Sequence, residues 1–166
     1  MPERGWEAVT IPGAVSGWAA LSKRHGRLPF ADLFEPAIRY ARDGWQVSPV
    51  VAEKWALAVP ALPADLGWPE TFMPHGRAPR VGERFSCPAM AETLAEIAAT
   101  RGESFYRGRL AAAMVAHSQS HGGAHTLADF SFAGAAQEIN INTTQKAQMI
   151  TKLLLVNTDI FDGILE

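Results

Sequence analysis

The sequence predicts a mostly helical fold that ends in a C-terminal strand–helix unit, and three observations carry that prediction. Apolar residues recur at helical spacing in several stretches, most clearly over residues 28–44. Proline stands in the first turn of these stretches and glycine just past their ends, as with Pro36 and Gly44 or Pro88 and Gly102. A strand-like run followed by one more amphipathic stretch occurs only late, at residues 131–139 and then 142–156.

Taken in order, Val9-Thr10-Ile11 is short, β-branched and extended, and Pro12-Gly13 turns the chain. A helix follows from Ala14 to His25, with Val15, Trp18 and Leu21 on one face and Gly26 as its stop. The next helix is expected to organise the chain: Leu33, Phe34, Ala37, Ile38 and Ala41 form a wide apolar face, with Arg39, Arg42 and Asp43 opposite. A face that wide needs neighbours, so the helix over residues 35–43 is expected to form the core. Ser48 caps a third helix whose first residue is Pro49; it runs to about Ala58 and buries Val51 and Trp55.

Residues 60–80 carry Pro60, Pro63, Pro69, Pro74 and Pro79, which exclude regular helix and central strand. Leu62, Leu66, Trp68, Phe72 and Met73 in the same segment indicate packing over a surface, since a disordered linker lacks such residues. Pro88 opens a fourth helix that buries Met90, Leu94 and Ile97. A fifth, over residues 110–120, turns Leu110, Ala113, Met114 and His117 inward until Gly122-Gly123 breaks it. Thr126 and Asp129 have the spacing of a capping box. Residues 131–139 then read as a strand, and Asn142 or Thr143 caps a last helix, with Ala147, Ile150 and Leu154 on its face.

The bulk numbers bound the function. A chain of 166 residues, 48% hydrophobic, can bury a real core as one domain. The net charge of −2 and scattered arginines leave no clustered basic footprint for nucleic acid. No apolar run approaches the roughly 18 residues of a membrane span, and the first residues lack a secretion-signal pattern. Cys87 is the single cysteine, so no internal disulfide can form. Asparagine first appears at Asn140, amid a shift toward Ile, Thr and Lys. That shift marks either a second structural unit or a junction in how the chain was made.

Several stretches resemble the γ-glutamyltranspeptidase family in order and spacing. They are Val9-Thr10-Ile11-Pro12-Gly13-Ala14-Val15-Ser16-Gly17-Trp18, then His25-Gly26-Arg27-Leu28-Pro29-Phe30-Ala31-Asp32-Leu33-Phe34-Glu35-Pro36-Ala37-Ile38, then Gly44-Trp45-Gln46-Val47-Ser48-Pro49. Further on come Pro79-Arg80-Val81-Gly82-Glu83-Arg84-Phe85, Phe105-Tyr106-Arg107-Gly108, Gly122-Gly123 and Leu127-Ala128-Asp129. The tail departs from the pattern. The family's stretch with a tryptophan and a proline is missing after Phe130, Asn140-Ile141 replaces Pro-Pro, and Thr143-Thr144-Gln145 replaces a glycine-rich turn.

The resemblance implies a piece of an α+β N-terminal-nucleophile hydrolase with an αββα sandwich. Residues 1–130 would be a helical region of the large subunit, and 131–166 an altered strand–helix element of the sandwich. Family members cut themselves from one precursor into large and small subunits. The small subunit's N-terminal threonine attacks γ-glutamyl donors such as glutathione, with its own α-amino group as base. The chain is similar to an interior segment of the large subunit, so no catalytic or substrate-binding residue of the family carries onto any position here. Its implied partners are the rest of the large subunit, the small subunit and a γ-glutamyl small molecule, with no cofactor. Both periplasmic or secreted and cytoplasmic locations are compatible with the family. A related acylase, or a helical scaffold that lost the chemistry, are the alternative readings. Unpaired strand edges and apolar residues over 131–156 also suggest self-association.

Four groups invite chemistry on residue type alone. Thr143-Thr144 resembles a nucleophile followed by a second threonine, but Gln145 stands where the motif has histidine, and helix capping explains the pair. His117, His121 and His125 are spaced by four, which on an unbroken helix would suit a metal; Gly122-Gly123 interrupts it and no acidic or Cys ligand lies nearby. Cys87 sits before a helix start, where a thiolate gains stability, yet reads as a small packed residue. His75, Arg77, Arg80 and Arg84 form either a carboxylate-binding wall or a solvated basic loop.

Overall fold

Helix starts and stops fall where proline, serine and glycine place them. The computed structural model describes residues 6–61 and 67–136, with the side chains of Glu7, Ala61 and residues 132–136 left aside. A 3₁₀ turn at Trp6–Ala8 leads to α1, Ala14–His25; a second at Ala31–Phe34 leads to α2, Glu35–Asp43. Strand β1, Trp45–Gln46, helix α3, Pro49–Ala58, helix α4, Trp68–Phe72, and strand β2, Arg84–Phe85, follow. Then come α5, Pro88–Thr100, α6, Glu103–Arg107, α7, Arg109–Ser120, and α8, Leu127–Ala136. The described chain is mostly helical, with one two-stranded sheet.

Contacts divide it into two units. Of the described residues, one unit joins 6–36 with 92–136, and the other is Ala37–Ala91. In the first, α6 packs against α7 and α8. Its core holds Val15, Phe30, Phe34, Ile97, Tyr106, Leu110, Val115 and Phe130. Tyr106 is the long-range tie. Its hydroxyl donates to the Pro12 carbonyl at 2.8 Å and accepts from the Ser16 backbone N–H at 3.0 Å, with Ser16 Oγ at 3.1 Å. Ser16 lies in the first turn of α1, where backbone N–H groups have no helical acceptor, so a side chain from 90 residues away supplies one. Burial pushes the Tyr106 phenol above its ordinary pKa, and the hydrogen bonds around Ser16 partly offset that.

The second unit is built on β1 and β2, which pair antiparallel with Trp45 opposite Phe85 and Gln46 opposite Arg84. Two further bonds extend the ladder: Val47 N–H to the Glu83 carbonyl at 2.9 Å and Gly82 N–H to the Val47 carbonyl at 2.8 Å. Phe85 sits edge-on to Trp55, with ring centroids 4.9 Å apart, in a cluster with Val47 and Ala52. Phe72 from α4 stacks on Phe85, so the proline-rich segment does pack. The bend into β1 requires glycine. Gly44 has φ +83°, and a Cβ there would meet the Phe85 carbonyl oxygen at 2.9 Å and Arg84 Cγ at 2.8 Å.

Several expectations hold. Gly44 and Gly102 end their helices, and Ser48 Oγ accepts from Val51 N–H at 3.3 Å in front of Pro49. The Thr126–Asp129 box is complete: Thr126 N–H donates to Asp129 Oδ2 at 2.8 Å, and Asp129 N–H donates to Thr126 Oγ1 at 3.3 Å.

Others need correction. The strand expected over residues 131–139 is not one over 131–136, which continue α8. The capping box sets the helix start, and alanine at 133, 135 and 136 is the strongest helix former. Helix α2 is not the core: it buries no residue fully, Ile38 and Ala41 are half-covered, and Leu33 and Ala37 are exposed. The anchor is its 3₁₀ lead-in, where Phe34 packs against Phe30 and Trp18. Residues 68–72 are helical despite the proline load, because Pro69 occupies the first turn. Met90 is exposed, since the buried stripe of α5 runs through Ala91, Ile97 and Ala98. The remaining strand and helix over residues 137–156, the threonine pair, and Leu62 and Leu66 lie outside the described residues.

Candidate functional site

Helix α7 presents two stripes. Ala111, Val115 and Ser118 face the closed core, while Leu110, Ala113, Met114 and His117 line a hollow of about 490 Å³ within the first unit. Of the stripe expected to point inward, Leu110 alone is buried; Met114 is half-covered and Ala113 and His117 are exposed, because the closed core takes the neighbouring stripe of Ala111, Val115 and Ser118. Trp6, Val9, Thr10 and Pro12 form the facing wall, Thr93 and Phe105 contribute from α5 and α6, and His125 and Phe130 complete the lining. No Asp, Glu, Lys or Arg lines it.

His125 closes one side of this hollow. Its Nε2 lies 3.0 Å from the Val9 carbonyl and its Nδ1 lies 2.8 Å from Ser118 Oγ. A carbonyl only accepts, so Nε2 carries the proton, and in the neutral ring Nδ1 accepts from the serine hydroxyl. Trp6 packs edge-on against both His125 and His117, each at 5.6 Å between ring centroids. The Trp6 wall also sets the need for Gly123, where a Cβ would sit 3.0 Å from Trp6 Cγ and overlap Ser118 Oγ.

Ser118 and His125 have the contact of a nucleophile and its base, but the geometry shuts the pair off. Ser118 is 1% exposed, and the second nitrogen of His125 is taken by a backbone carbonyl where a triad would place an orienting carboxylate. The pair serves as a structural clasp. Ser118 sits on the apolar face of α7 at i+3 from Val115 and i+7 from Ala111. A lone polar residue in such a stripe was the available sign that a buried partner awaited it.

The three histidines do not converge. His121 Nδ1 lies 2.8 Å from the His117 carbonyl, its ring stacked obliquely on His117, and His125 is committed as described. Among the described residues, no group of three or more His, Cys, Asp or Glu could hold a metal ion.

In the second unit the basic cluster carries its own counter-ion. Arg77 donates to both oxygens of Glu83, at 2.9 and 3.3 Å, and the Arg80 backbone N–H donates at 2.8 Å. His75 Nε2 stands 3.4 Å away. These bonds, Arg77 first, hold the Glu83 carboxyl at about 2. Arg84 donates to the Asp43 carbonyl at 3.1 Å. The cluster braces the turn before β2 through Glu83, whose role the four basic residues alone did not disclose. Cys87 packs against the same unit's core, its N–H donating to the Ala41 carbonyl at 2.7 Å.

Comparison with known proteins adds the wider frame. The sequence profile of the Gamma-glutamyltranspeptidase family matches residues 1–153. A glutathione hydrolase-like proenzyme of Bacillus subtilis, YwrD, is 37% identical over 131 residues, covering 78% of this chain and 25% of its own length. Among solved structures, the cephalosporin acylase of Bacillus halodurans superposes with a TM-score of 0.75 at 44% identity, over 79% of this chain and 26% of that one. A γ-glutamyltranspeptidase of Pseudomonas nitroreducens, complexed with L-DON, gives 0.70 at 29% identity, over 76% of this chain and 37% of that one. The chain thus spans about a quarter of the length of the curated relatives it matches.

Proposed function

We propose that this chain, which belongs to the γ-glutamyltranspeptidase family, is an interior segment of the large subunit of an enzyme that transfers or hydrolyses γ-glutamyl groups. Glutathione-type donors are its substrate class. Residues 1–130 form the helical region. Residues 131–166, of which 131–136 are helical, lead into an altered element of an αββα sandwich. The attacking group is an N-terminal threonine outside these residues, activated by its own α-amine. The remainder of the large subunit and the small subunit complete the site, and no cofactor is needed.

The observation that carries this reading is the state of the Ser118–His125 pair. It has the contact of a nucleophile and its base, yet it is buried with both ring nitrogens occupied; the exposed Ser120–His121 contact at 3.0 Å is turned onto the His117 carbonyl, which accepts from Ser120 Oγ at 2.9 Å and lies 2.8 Å from His121 Nδ1. The hollow beside it offers no charge to a γ-glutamyl group, which bears an ammonium and a carboxylate. What the chain contributes is framework. The two halves of its family resemblance meet in space: Tyr106 holds the Pro12–Ser16 turn, and the Trp45–Gln46 strand pairs with Arg84–Phe85.

A second reading, an acylase on the same scaffold, draws on the higher identity and TM-score of the cephalosporin acylase. A framework without chemistry is the third. One experiment separates them: express the complete reading frame that contains this chain, look for self-cleavage into two subunits, and assay a γ-glutamyl anilide beside a cephalosporin amide. Cleavage with γ-glutamyl turnover supports the proposal. Turnover of the cephalosporin amide alone selects the acylase, and neither activity selects the framework.

A further inference from the structure

The three histidines do not gather at one point, but two of them meet. His117 lies in the last turn of α7 and His121 caps that helix, so both precede the break at Gly122-Gly123. They stand at i and i+4, where two side chains share one helix face and two histidines can share one metal ion. Both are exposed, and their rings lie 4.2 Å apart between centroids at an angle of 45°.

A hydrogen bond already sets up His121 as a ligand. Its Nδ1 lies 2.8 Å from the His117 carbonyl, which only accepts, so Nδ1 carries the proton and Nε2 keeps its lone pair. Metal-ligating histidines commonly donate their other N–H to a backbone carbonyl, which fixes the tautomer and the ring. Here that bond is in place without a metal. No described residue hydrogen-bonds to His121 Nε2 or to either ring nitrogen of His117. Trp6 packs edge-on against His117 at 5.6 Å and limits the freedom of its ring.

We propose that His117 and His121 form a two-point chelate for a divalent first-row transition ion, with copper(II) held tightest. A metal about 2.0–2.1 Å from each of two imidazole nitrogens needs them roughly 3 Å apart, a separation that rings at this spacing can present. Imidazole suits copper, nickel and zinc, and affinity rises from nickel to copper and falls again at zinc. Magnesium and calcium want oxygen ligands, which this pair does not offer. The end of α7 adds its carbonyl dipoles, which favour a cation there. His125 takes no part, because both its nitrogens are bonded. Two protein ligands leave the other coordination positions to water, so the ion is exchangeable and the site accessory. The chelate needs neither a γ-glutamyl substrate nor a second subunit, and it stands apart from that reading.

The test titrates the 166-residue chain, purified without a histidine tag, with copper(II), nickel(II), zinc(II) and magnesium chlorides in a calorimeter at neutral pH. The proposal expects saturable binding of one copper(II) per chain, weaker nickel and zinc, and no magnesium. His117→Ala and His121→Ala should each lower the copper affinity at least about tenfold, since losing one of two linked ligands abolishes the chelate. His75→Ala should leave it unchanged. Both histidines of the pair are exposed, so the variants keep the helical circular dichroism of the parent. Electron paramagnetic resonance of the unmutated copper complex gives a readout that needs no variant: two imidazole nitrogens in the equatorial plane for the pair, one for a lone histidine. Absence of saturable copper binding, single variants that bind as the parent does, or a one-nitrogen spectrum overturns the proposal. Loss of the site in His75→Ala would mean an adventitious ion only, and overturns it as well.

Discussion

Replacing Tyr106 by phenylalanine removes one oxygen and probes the longest tie in the first unit. The ring is 3% exposed, and its hydroxyl makes a bond to the Pro12 carbonyl and another from the Ser16 N–H. A typical intramolecular hydrogen bond contributes about 1 kcal/mol net, and a buried group that loses its partner costs about 1–3 kcal/mol. The Pro12 carbonyl and the Ser16 amide each lose this partner, so Tyr106→Phe should destabilise by about 1–3 kcal/mol. For a chain of this size that lowers the thermal midpoint by roughly 2–12 °C. Calorimetry or urea unfolding of the 166-residue chain reads it directly. A pH series gives a second readout. The folded phenol lies above its ordinary value of 10.0, so its contribution is complete below pH 10 and is lost as pH rises through the folded value. The wild type should therefore lose its advantage over the variant in strong alkali. A change within about 0.5 kcal/mol, the range of surface sites, would refute the tie. So would a difference that persists unchanged above the folded phenol's titration.

Three further outcomes follow from the geometry. Glu83→Gln should flatten acid unfolding of the second unit: Glu83 titrates at about 2 against 4.5 unfolded, so its contribution is complete above pH 4.5 and is lost as pH falls toward 2. An unchanged acid transition in urea-monitored unfolding would count against the Arg77–Glu83 bridge. Gly44→Ala should cost at least the roughly 1–2 kcal/mol of a left-handed residue, because its Cβ also meets the Phe85 carbonyl oxygen; a neutral result in thermal melts would show that the β1 bend is wrong. Thr126→Ala should cost about 0.5–2 kcal/mol and speed hydrogen exchange in α8, and unchanged exchange there would argue against the capping box.

What was legible in the sequence was the punctuation of the helices. Ser48-Pro49, Pro88, Gly44, Gly102 and the Thr126–Asp129 box each act within a few residues, so the sequence displays cause and effect together. What escaped depends on distance. The strands β1 and β2 are two residues each, too short for a period, and exist because Trp45 and Phe85 meet across 40 positions. The apolar face of α2 showed that a cover was wanted, but nothing in residues 35–43 states how much of it this chain provides. On α7 the periodicity picked the stripe of Leu110, Ala113, Met114 and His117, and missed that the closed core takes Ala111, Val115 and Ser118, because small residues carry little hydrophobic signal. Tyr106 read as an aromatic in a familiar stretch, since its partners Pro12 and Ser16 lie some 90 residues away. Glu83 was not singled out because its bonds to Arg77 and to the Arg80 backbone depend on how the turn before β2 folds.

The central claim is that this chain is framework and that the chemistry requires residues outside it. The most direct measurement is hydrolysis of a γ-glutamyl anilide by the purified 166-residue chain. The account predicts release no faster than with a heat-killed sample, because Ser118 is buried, His125 is fully bonded, and the hollow holds no charge for the substrate. Turnover above that control, abolished by Thr143→Ala or by Ser118→Ala, would contradict it and place a working nucleophile within the chain itself.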